Sequence, residues 1–182
     1  MAGEQTVDFV RHECGHLVVA RALEFETGVI NLKGEQAEAE ITLQPAIRNT
    51  DDLKRFIERR VPVLYAGALA QSMTGRKTDP KIANEYLKKT ANQDYAKAKE
   101  LVRLHTGVER PDAGEEDVKK KLEETNERLY VKAQKLVEKR ATQIIGLSLA
   151  FMQAYGDVRR PTEFTFSKEQ IDQWLKQNAG VA

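Results

Sequence analysis

Two histidines four residues apart, with a glutamate directly after the first, constrain this chain most: His12-Glu13-Cys14-Gly15-His16. The spacing works only on a helix, where residues i and i+4 share a face and two imidazoles can meet one ion, most naturally zinc. Glu13 then points to the flank of the site. There it can take a proton from a metal-activated water without filling a coordination position, and pass it to a leaving amine. The plain alternative is two surface histidines on an ordinary helix. Against it, the chain has three histidines and two of them lie here. Gly15 also costs about 1 kcal/mol inside a helix unless another element approaches closely. Cys14 is two positions from each histidine, so its thiol projects elsewhere and reads as a small buried residue.

The rest of the sequence supplies a frame for that helix. Its 182 residues are enough for one domain with a core, and 41% hydrophobic with 31% charged residues is a globular composition. A net charge of +1 gives no reason to expect nucleic acid or an anionic membrane as partner. The single cysteine rules out an intrachain disulfide framework and fits a reducing compartment. The apolar run from Ile144 to Met152 is too short to span a bilayer, which takes roughly 18 residues. No signal-peptide pattern opens the chain, so the expected location is the cytoplasm.

Hydrophobic periodicity predicts a first helix from about Gln5 to Glu26, with Gly28 as its stop. Val29 to Leu32 and Glu38 to Gln44 read as an antiparallel strand pair around a turn at Lys33-Gly34-Glu35, ending before Pro45. Thr50-Asp51-Asp52 caps a helix to about Ser72, with a kink or break expected at Pro62. Within it, Gly67-Ala68-Leu69-Ala70 is small enough for another helix to pack closely. A short helix follows at 80–89, then one from Thr90 or Asn92 to about Leu104. A break at 107–114 contains Pro111. Long helical stretches cover about Glu115 to Tyr155, and Ser167 to Gln170 is a capping box opening a last helix through Asn178. The fold class is therefore mainly α, with a small antiparallel sheet beside the motif helix. Residues 1–182 read as one domain, with a metal-bearing part at 1–106 and a C-terminal helical part at 115–182.

A catalytic zinc takes a third protein ligand. A third histidine in the H-E-x-x-H-x-x-G-x-x-H pattern is excluded by the residues after His16. A glutamate about twenty residues on points to Glu35, Glu38 or Glu40, which lack a helical frame. A distant acidic residue remains, and Asp94 lies near the start of a helix.

At this point the chain resembles the peptidase domain of the FtsH-type ATP-dependent zinc metalloproteases. The similarity rests on four segments: His12-Glu13-Cys14-Gly15-His16 with its apolar continuation through Ala20, Ile41-Thr42-Leu43-Gln44-Pro45, Tyr65-Ala66-Gly67-Ala68-Leu69-Ala70, and Thr90-Ala91-Asn92-Gln93-Asp94. The resemblance implies His12, His16 and Asp94 as Zn2+ ligands, Glu13 as catalytic base and a C-terminal helical hairpin. It also implies assembly into a homo-oligomer. Cys14 stands where the family has a small alanine, and the glycine expected after Thr90 is missing. With eleven residues before His12 and no phosphate-binding loop in the sequence, the family's ATPase domain and membrane anchor are not expected within these residues, whether they form a stand-alone relative or an excised piece. The expected substrates are accordingly peptides or unfolded proteins, with an ATPase as a separate partner. The expected activity is zinc metalloendopeptidase. The alternative is a catalytically weak or inactive zinc-binding interaction or regulatory module of the same fold.

Three other features have plainer readings. His105 is expected at the surface, about 16 Å along its helix from Asp94 and away from the ion. Trp174, with Ile171 and Leu175, reads as a helix face on the core. The Lys/Glu-rich stretch from Glu115 to Arg140 reads as a solvated helix, with a subunit contact as the sharper alternative. The segment Ile41 to Gln44 is either a covered strand or an exposed edge able to hold an extended peptide.

Overall fold

The computed structural model describes residues 2–34, 36–112 and 114–178. Along the chain run α1 (Ala2–Ala22), β1 (Thr27–Lys33), β2 (Gln36–Ile41), α2 (Thr50–Gln71), α3 (Pro80–Lys88), α4 (Asn92–Glu109), α5 (Glu115–Lys139), α6 (Ala141–Asp157), β3 (Glu163–Phe166) and α7 (Lys168–Gln177). The expectation of a mainly helical chain with a small antiparallel sheet holds. The sheet has three strands in the order β2-β1-β3, both pairings antiparallel, so β2 is an edge. The added strand, β3, pairs Ile30 with Phe166 and Leu32 with Phe164. Its four residues were too few to show a period beforehand.

The motif helix is the centre of the molecule. Every residue from Cys14 to Ala20 is buried, because α1 packs against α2, α6 and the sheet at once. A helix enclosed on all sides has little amphipathic contrast. α1 stops at Ala22 rather than near Gly28: Glu24 adopts a left-handed φ of 60°, and Arg59 Nε donates to the Leu23 carbonyl at 2.7 Å. The second strand ends at Ile41, short of Gln44, and Thr42 N–H donates to the Glu26 carbonyl at 2.9 Å. Gly34 turns between the strands at φ 60°, while Glu35 lies outside the described residues.

Pro62 does not break α2, which runs unbroken from Thr50 to Gln71. A proline inside a helix leaves the carbonyl four residues earlier without its donor. Here that carbonyl is Glu58's, and Lys132 Nζ of α5 donates to it at 2.9 Å. The cap of α2 is Asn49, whose side chain accepts from Asp52 N–H at 2.9 Å. α4 extends through Gly107 to Glu109, so the break is shorter than expected. α5 and α6 meet at Arg140 without a loop, and pack chiefly on α2 and α1 respectively. The capping box at Ser167 and Gln170 forms as the sequence proposes, and α7 lays Trp174 over Gly146 of α6.

Candidate metal centre

Helical spacing brings His12 and His16 together on α1, with Nε2 atoms 2.8 Å apart. Asp94 arrives from the first turn of α4, its Oδ2 lying 3.3 Å from His12 Nε2 and 3.2 Å from His16 Nε2. No side chain caps α4; neither Thr90 nor Asn92 serves as expected. Glu38 and Glu40, the other described candidates for a third ligand, project from β2 and do not join the cluster.

The hydrogen bonds on the far side of each ring decide what the three atoms can hold. His12 Nδ1 lies 2.8 Å from Gln71 Oε1, and His16 Nδ1 lies 2.7 Å from the Val63 carbonyl oxygen. Both partners are acceptors, so both Nδ1 atoms carry protons. In the neutral rings the two Nε2 atoms then present bare lone pairs to each other and to a carboxylate oxygen. That arrangement is repulsive unless a cation or a proton lies between them. Tetrahedral ligands at ordinary Zn–N lengths sit about 3.3 Å apart, close to the two separations from Asp94 Oδ2, while the two Nε2 atoms at 2.8 Å are nearer to each other than that. The donor set, two imidazoles and a carboxylate, also suits zinc. These residues fit a metal ion.

Packing explains why the rings stand there. A Cβ at Gly67 would collide with the His12 imidazole, so glycine makes the ring's space. A Cβ at Gly15 would lie 2.6 Å from Ala70 Cβ and 2.7 Å from the Ala66 oxygen. The small stretch on α2 thus receives α1, and the close approach inferred from Gly15 is present. Gln71 and Val63, which fix the ring tautomers, were not singled out in the sequence. Their signal was position: 63, 67 and 71 fall on one face of α2.

Electrostatics follow the geometry. Burial opposes charge on His16, but the hydrogen bond and charge of Asp94 outweigh it and raise its pKa above the ordinary histidine value. Burial would raise Asp94, yet the two histidines hold its carboxyl far below the usual range. Burial lowers the pKa of Arg60, whose Nη1 is buried without a hydrogen-bond partner; the Asp94 charge opposes that shift. Burial raises the Cys14 thiol well above its ordinary value, which suits the packing role read for it.

Glu13 is not one of the three clustered residues. Its Oε2 accepts the Ala39 N–H of β2 at 2.8 Å. Ala39 therefore turns its amide away from β1, toward the open edge, a side shared by Ala37 and Ile41 through the period of two. Beside the cluster lies a cleft of about 920 Å³ lined by Phe9, Ala37, Glu38, Asn92, Asp94 and Phe164 among others.

His105 is not at the surface. It is fully buried, with Nε2 3.5 Å from Glu58 Oε1 and Nδ1 3.8 Å from Glu109 Oε2, and it stands apart from the cluster. Among the described residues no helix is long and apolar enough to cross a membrane. No family model matches the chain, and no curated protein matches it.

Proposed function

We propose that this chain is a zinc metallopeptidase similar to the FtsH-type peptidase domain, cleaving peptide bonds in peptides or unfolded proteins. One observation carries the reading: His12 Nε2, His16 Nε2 and Asp94 Oδ2 converge while both Nδ1 protons are committed elsewhere. A zinc ion held there supplies a Lewis acid and ionises water near neutral pH. His12, His16 and Asp94 hold it, and Gln71 with the Val63 carbonyl keeps the imidazoles in the binding tautomer. Glu13 takes the proton of the attacking water at a carboxylate oxygen and delivers it to the departing amine nitrogen. A peptide laid along β2 meets the edge-facing backbone groups of Ala37 and Ile41. The neighbouring cleft receives its side chains. Assembly with other copies and a separate ATPase partner belong to the proposal through the resemblance alone.

A single contact favours a second reading, a zinc-binding interaction module without turnover. The Glu13 carboxylate is engaged by the Ala39 amide, a bond that serves folding as well as it serves chemistry. Metal analysis and a casein assay separate the two. The peptidase reading expects about one zinc per chain, lost in His16→Ala, and casein cleavage abolished by Glu13→Gln with zinc retained. Bound zinc without cleavage of any unfolded substrate selects the interaction module, and absence of zinc from unchelated protein sinks both.

A further inference from the structure

Apart from the metal centre, the groove between α4 and α5 combines an apolar floor with unneutralised positive charge. It is a cavity of about 340 Å³ lined by Lys99, Val102, Arg103, Lys119, Leu122 and Glu123 among others. Val102 is 3% exposed, and Leu122 is half-buried beside it. Lys99 and Arg103 stand on the α4 wall and Lys119 on the α5 wall, all exposed. Some other cations of this nearly neutral chain sit beside carboxylates, such as Lys54 on Asp51 at 2.7 Å, Lys77 on Glu138 at 3.0 Å and Arg128 on Glu58 at 2.8 Å. The three groove cations form no such ion pair among the described residues; Lys99 only lies over the Tyr95 ring, 4.5 Å from its centroid. Glu123 is the one carboxylate of the lining.

We propose that this groove binds an acidic peptide segment of a partner protein, inserting an aliphatic side chain between α4 and α5 while its carboxylates meet Lys99, Arg103 and Lys119. Charge complementarity selects the sign of the partner, and the floor of Val102 and Leu122 asks for an apolar anchor. Nucleic acid is the poorer match, because no aromatic side chain lines the groove to stack a base. This site stands independently of the peptidase reading.

Fluorescence anisotropy of the full chain with a labelled Asp-Glu-Leu-Glu-Asp peptide tests it. The peptide should bind at low salt, more weakly at high salt, and about tenfold better than its Leu-to-Ser counterpart. Lys99→Glu combined with Arg103→Glu should weaken binding about tenfold or more, with a melting curve like that of the parent. Should that double variant fail to fold, Lys119→Glu on the opposite wall decides by the same loss. Absent binding, equal binding of the serine peptide, indifference to charge reversal, or tighter binding of a thymidine oligonucleotide would each overturn the proposal.

Discussion

Where α1 crosses α2, the molecule has no spare room; where α4 faces α5, it has an open groove. At the crossing, Gly15 lies against Ala66 and Ala70, Gly67 lies under the His12 ring, and the backbones approach so closely that no Cβ fits. In the groove, charged side chains stand in solvent over two apolar residues. Close packing tolerates neither added nor removed volume, whereas exposed polar positions are nearly indifferent to substitution. The difference marks what each region is built for. On the two proposals, one region positions the imidazoles of His12 and His16 for a metal ion that Asp94 of α4 completes, and the other presents charge that can be rearranged around a partner.

Several substitutions would break or sharpen this contrast. The largest effect belongs to Glu13→Gln, which on the proposed reading lowers kcat about 10²–10⁴-fold with zinc retained, measured with casein or an unfolded peptide. Next comes Gly15→Ala, expected to destabilise by about 1–3 kcal/mol through overpacking and readable as a lowered denaturant midpoint. Gln71→Ala leaves the crossing's volume free but removes the His12 Nδ1 acceptor. It should weaken zinc about 10–100-fold in a chelator competition. Smallest is Gly107→Ala on α4, where nothing lies within 4 Å of the added Cβ. The same change that damages the crossing should there stabilise by about 0.5–1 kcal/mol. Changes of the same sign and similar size at Gly15 and Gly107 would refute the contrast.

pH gives a further test with a definite sign. In metal-free protein the Asp94 carboxylate raises His16 above its unfolded value. The corresponding stability is full below the ordinary histidine pKa and is lost as pH rises through the higher folded value. Asp94 is depressed, so its contribution is present above the ordinary carboxylate value and is lost as pH falls. Zinc reverses the histidine part, because the metal needs His16 unprotonated. Chelated protein should therefore lose stability over the interval in which zinc-loaded protein gains it. Thermal melts across about pH 6 to 8 check this, and parallel curves would contradict it.

What the sequence disclosed depended on how local the cause was. The motif helix, Gly15's need for a close neighbour, the small face on α2 and the capping box at Ser167 all follow from residues a turn or less apart. The break expected as one outcome at Pro62 does not occur, because the donor that replaces the missing N–H, Lys132, lies on another element. His105 was read as a surface group because the carboxylates that enclose it come from α2 and from its own last turn. The third member of the cluster came from resemblance, since no spacing rule connects α1 to the first turn of α4. Gln71 and Val63 act on the histidines from a second helix, and β3 is too short to announce itself.

His12 and Asp94 are 82 residues apart in the chain, on α1 and α4. A bound ion joining the two would act as a cross-link, removing from the unfolded ensemble the freedom of a long loop. Its contribution would grow with the free metal concentration as mass action requires. On the proposed reading, the abundance of zinc in the surroundings would thus govern how long the chain survives as well as how fast it works, and proteolytic sensitivity after chelation would report it.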